Sequence, residues 1–186
     1  RILDHIKAGT MKALVLGHSF VRRLRDWIWM RDNDREMSRG SLDVHLHGVG
    51  GRTVRQVYDL DLKRVERIHP DVILLQLGGG GGDISSCTSA SDVLVRLKRL
   101  ITVLRQKCRD STIIVASIIY RRRLRGLSSR SYDRKKKRVI KCLLRKFGAF
   151  EQGKKLSLLL PPIFHREILP RGWGSPQKFW KPAFLS

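Results

Sequence analysis

The residues able to do chemistry in this chain sit where apolar runs break. In "LVLGHSF" (residues 14–20) a strand-like stretch ends on Gly17 and delivers His18 and Ser19. A serine so placed is either a nucleophile or simply the N-cap of the next helix. The first role needs a base for its proton and amides for the developing oxyanion. Two more breaks are glycine-rich, "GVGGRT" (48–53) and "GGGGGD" (78–83). Neither is a phosphate-cradling P-loop, because no glycine is followed by Lys and then Ser or Thr at the required spacing. Cys87, Cys108 and Cys142 are far apart, and no Cys or His pair has metal-ligand spacing, so neither a metal nor a cofactor is implied.

The second chemical feature is charge. The chain carries a formal net charge of +23 over 186 residues. Much of it lies between Tyr120 and Lys146, where 13 Lys and Arg face a single acid, Asp133. Arg121, Arg122, Arg123 and Arg125 form one cluster, and Lys135, Lys136, Lys137 and Arg138 a second. Such a field attracts polyanions, RNA or DNA first among them; the alternatives are a solvated helix face or a localisation signal. Separated, odd-numbered cysteines fit reduced thiols in the cytoplasm or nucleus better than a disulfide framework. No apolar run approaches the roughly 18 residues of a membrane span, and "RILDHIKAGT" lacks the long apolar stretch of a secretory signal.

The elements that must position these groups alternate in type. "MKALVLG" (11–17), "DVILLQLG" (71–78) and "TIIVASIIY" (112–120) read as buried strands, and "LDVHLHG" (42–48) as a half-exposed one. Helical periodicity runs from Phe20 to about Met37, over 53–68 until Pro70, from Ser91 (as N-cap) to Cys108, and over 129–147. Alternating strands and helices predict an α/β domain with a central parallel sheet, and place ligand groups at the carboxyl ends of the strands. All three glycine-rich breaks lie there. The expected organisation is a tail (1–10), the domain (11–147) and an irregular C-terminal segment (148–186) with Trp173 and Trp180 folded back on the body.

The three loops together resemble the SGNH hydrolases, the GDSL-type esterases and lipases. More narrowly, "VLGHSFVRRL" with "HPDVILLQLGG…DIS" resembles the esterase-like domains of animal non-LTR retrotransposons. The resemblance implies a three-layer, flavodoxin-like fold and an acyl or acetyl ester as substrate. It gives Ser19 the role of nucleophile and, with Gly51, of backbone donor to the oxyanion. His18 stands where the family carries a supporting Asp. In the third block Asp83 matches the family aspartate, but Gly82 occupies the position of the Asn that donates to the oxyanion. The family's C-terminal Asp and His, three residues apart, have no counterpart here. His165 is the one histidine after Gly148, Pro162 stands three before it, and no Asp follows Asp133. Two readings follow: an esterase of weak or lost activity through Ser19 with His165 as base, or a non-catalytic module holding RNA or DNA by its phosphates.

Overall fold

A computed structural model of the chain describes residues 10–32, 41–79, 82–119, 124, 126–147 and 156–159. His165, Trp173, Trp180, Tyr120, Arg121, Arg122, Arg123 and Arg125 lie outside the described residues, as do Gly80 and Gly81.

Five strands, β1 (Met11–Gly17), β2 (Leu42–Gly48), β3 (Val72–Gln76), β4 (Thr112–Ala116) and β5 (Leu156–Leu159), form one parallel sheet in the order β2-β1-β3-β4-β5. The helices between them are α1 (Ser19–Asp32), α2 (Val54–Leu60), α3 (Leu62–Ile68), α4 (Ala90–Lys107) and α5 (Ser129–Phe147). Alternation along the strands divides the sheet's two faces. Leu14, Leu16, Ile73, Leu75, Ile113 and Val115 are fully buried against residues of α2 to α5. Val15, Val44 and Leu46 turn the other way and pack with Val21 and Ile28 of α1. The result is the expected three-layer α/β architecture, with α1 on one face and α2 to α5 on the other. The strand order reverses at β1, whose neighbours are β2 and β3. That is the switch point at which open α/β sheets form their ligand crevice.

Three expectations are corrected. The segment after residue 147 is not wholly irregular: Leu156–Leu159 pairs with Ile113–Ala116 as an edge strand. Four residues are too few for periodicity to register, and the pairing with β4 supplies what the local sequence does not signal. The helix over 53–68 is two helices that meet at Asp61, whose carboxylate is buried and engaged by side chains from β2 and the following loop. The N-cap of α4 is Ser89, not Ser91. Ser89 has extended backbone, its hydroxyl accepts from the Asp92 amide at 3.1 Å, and the Asp92 carboxylate takes the Ser89 amide in return at 2.9 Å. Helix α1 is described as far as Asp32, and the expected extension to Met37 lies outside the described residues.

Candidate active site at the carboxyl rim of the sheet

Gly17, the last residue of β1, is in register with Gly48 on β2 and Gln76 on β3, so the three loops leave the sheet at one rim. Close packing of backbone holds two of them together. A Cβ on Gly48 would lie 2.1 Å from the Arg22 amide nitrogen, and one on Gly17 would lie 2.4 Å from a Val21 methyl. The first turn of α1 therefore rests directly on both strand ends. The Val49 amide also donates to the Gly17 carbonyl at 3.2 Å.

Ser19 is half-buried at the first helical position of α1. The N-cap is His18: its carbonyl accepts the first helical bond, from the Arg22 amide at 3.2 Å, and its ring Nδ1 lies 3.5 Å from the Phe20 amide as acceptor. Capping by His18 relieves Ser19 of that duty. Among the described residues its hydroxyl has no hydrogen-bond partner. The hydroxyl sits at the amide-rich, positive end of a 14-residue helix, where negative charge is favoured.

Gly51 turns the second loop with φ 77°, in open space, after which Thr53 caps α2 through a reciprocal pair with Gln56. Two carboxylates fix this loop. Asp61, 4% exposed, accepts from Arg52 Nη2 at 2.9 Å and lies 3.0 Å from His47 Nε2. Asp83, fully buried, accepts from the first amide of α2, that of Val54, with each oxygen at 3.1 Å. The third loop is thus tied to the start of α2 beside the Gly50–Gly51 turn. Its neighbour Gly82 has φ 106°, a backbone state that residues with a Cβ rarely adopt, and it offers no side-chain donor. Ser19, Gly51, Gly82 and Asp83 therefore belong to loops that leave the sheet at one rim.

Two groups of site residues escape sequence reasoning. Gln76 is 4% exposed, lies beside Gly17 in the sheet, and neither polar atom of its side-chain amide has a hydrogen-bond partner among the described residues. A lone polar residue within "VILLQLG" was the available signal. The His47–Asp61–Arg52 cluster gave none, because its members are far apart in sequence. Two cavities of about 450 Å³ lie elsewhere than at Ser19. One is lined by residues such as Trp29, His45 and Arg64, the other by the 86–90 segment with Arg134, Lys135 and Arg138. Among the described residues no cluster of three or more His, Cys, Asp or Glu is arranged to hold a metal, and no helix is long and apolar enough to cross a membrane.

The second basic cluster divides on the structure. Lys135 is half-buried and donates to the carbonyls of Ser85 and Thr88 at 2.6 and 2.7 Å, which makes it a brace between α5 and the third loop. Lys136 is half-buried as well, while Lys137 and Arg138 are exposed.

No family model and no curated protein sequence matches the chain. Solved structures do. A protein described as a GDSL-like lipase from Parabacteroides merdae superposes with a TM-score of 0.54 at 14% identity, covering 72% of each chain. A lipolytic protein of the G-D-S-L family from Desulfitobacterium hafniense gives 0.56 at 11% identity, covering 81% of this chain and 77% of its own. A catalytic mutant of an acetylxylan esterase from Geobacillus stearothermophilus gives 0.50 at 15% identity, covering 74% and 73%. The fold is that of the SGNH hydrolases.

Proposed function

We propose that this chain is an esterase-like SGNH module that keeps the frame of an acyl-transfer site and little of its catalytic power. The observation that carries this reading is the bond of Asp83 to the Val54 amide. It draws the third loop to the second at the rim where Ser19 opens α1. In this reading Ser19 attacks the carbonyl carbon of an acyl or acetyl ester. The amides of Ser19 and Gly51 receive the oxyanion, and His18 and Asp83 support the loops. Gly82 supplies no side-chain donor, a deficit that typically lowers turnover about 100- to 1000-fold. His165 is the candidate base, and it lies outside the described residues. Without an effective base, catalysis falls to what binding and backbone donors give, about 1000- to 10,000-fold over water. Kinship with retrotransposon esterase-like domains is part of the proposal and rests on the sequence motifs alone.

The test is hydrolysis of p-nitrophenyl acetate by wild type, Ser19→Ala and His165→Ala. A slow rate that vanishes in Ser19→Ala supports the proposal; a rate equal in wild type and Ser19→Ala removes it. Loss in His165→Ala as well would assign the base. A second reading, a module that holds nucleic acid by its phosphates, is favoured by the exposed cations of α5.

A further inference from the structure

Helix α5 buries Tyr132, Val139 and Leu143 against the core. Arg130, Arg134, Lys137, Arg138, Lys141 and Arg145 are all exposed on the opposite side. At 100° per residue these six fall within about 100° of the helix circumference. They extend over roughly 22 Å at 1.5 Å per residue. None pairs with a carboxylate among the described residues; Asp133, the acid of this helix, is half-buried beside the stripe. At its N-terminal end the stripe opens into a cavity of about 450 Å³, where Arg134 and Arg138 face Ser86, Thr88 and the start of α4. The acid of that cavity, Asp92, is engaged by the hydroxyl and amide of Ser89, which hold its carboxyl below the ordinary aspartate range.

From this arrangement we infer that the exposed face of α5 is a docking track for the phosphate backbone of a nucleic acid, with one phosphate seated between Arg134 and Arg138 at the cavity mouth. The inference rests on the second reading above and specifies its site. About 22 Å of track spans roughly six base pairs of duplex axis, at 3.4 Å of axis per phosphate of one strand. An anionic membrane is the weaker match: Tyr132, Val139, Ile140, Leu143 and Leu144 of α5 pack against the core and leave no apolar stripe among them to insert. An acidic protein partner would call for exposed aromatic or apolar anchors, whereas Tyr132 is 1% exposed. For the same reason base stacking contributes nothing from Tyr132, and binding is sequence-tolerant.

The test titrates the full chain with a mixed-sequence DNA duplex and with its single strand between about 50 and 200 mM salt. Wild type is compared with Arg134→Ala/Arg138→Ala, with Arg134→Lys/Arg138→Lys, and with Lys63→Ala/Arg67→Ala on α3. The inference expects the alanine pair on α5 to bind at least about tenfold more weakly, with a salt slope shallower by about 2. The lysine pair should stay near wild type, and so should the α3 pair. Circular dichroism verifies that each variant is folded. If wild type binds but both alanine pairs match it, the track is wrong and the nucleic-acid reading stands. If wild type binds neither oligonucleotide, both fall. Binding to phosphatidylserine vesicles without binding to either oligonucleotide overturns the inference in favour of a membrane surface.

Discussion

The rim of the sheet and the outer face of α5 are opposites in construction. At the rim, order comes from backbone. Gly17 and Gly48 admit the first turn of α1, Asp83 holds an amide of α2, and Asp61 clamps Arg52 and His47. On α5, the six cations of the stripe are exposed, with no carboxylate partner among the described residues. Like charges on one helix face repel and contribute nothing to folding. Rim residues should therefore govern stability, and the α5 stripe should be dispensable for it.

The largest effect is expected from Asp83→Ala. The bond that the Val54 amide shares between both oxygens of a buried carboxylate is lost, at a cost of about 3 kcal/mol measured by urea unfolding. Gly48→Ala should cost about 2 kcal/mol, because its Cβ meets backbone atoms of Val21 and Arg22 and α1 must shift. Ser89→Ala removes the cap of α4 and should cost about 1 kcal/mol. That loss depends on pH. The Ser89 hydroxyl, and then its amide, hold the Asp92 carboxyl below its ordinary value. This support is complete above the ordinary aspartate pKa and fades as the pH falls through the lowered one, so the gap between wild type and Ser89→Ala narrows in acid to the bond the hydroxyl accepts from the Asp92 amide. Smallest of all is Ser19→Ala, within about 0.5 kcal/mol of wild type, since His18 and not Ser19 caps α1. A loss of about 1 kcal/mol there would return Ser19 to a capping role. Any substitution in the exposed α5 stripe as costly as Asp83→Ala would break the contrast.

How much of this the sequence disclosed follows the range of the interactions. "MKALVLG" and "TIIVASIIY" announce buried strands because nearly every residue is apolar, and a glycine marks the end of the first. The split at Asp61 was invisible, because its cause is a contact with His47 and Arg52 made only in the folded chain. So was β5, whose four residues depend on β4 for their pairing. In the basic segment the run "RKKKR" reads as one block. The helix deals its members to different faces, so Lys135 braces the Ser85 and Thr88 carbonyls while Arg130, Lys141 and Arg145, not singled out in the sequence, join the exposed stripe. That Gly82 stands where the resembled family carries Asn was legible. Its conformational consequence was not: at φ 106° an asparagine restored there would be strained, so Gly82→Asn alone should not recover an oxyanion donor.

The central claim, that the hydroxyl of Ser19 remains the reacting group of a weakened acyl-transfer site, is tested most directly by exposing the protein to a fluorophosphonate and mapping the adduct by peptide mass spectrometry. A slow, stoichiometric phosphonyl adduct on Ser19, absent from Ser19→Ala, is the predicted result. Adducts scattered over other hydroxyls, or none on Ser19 after prolonged exposure, would contradict it.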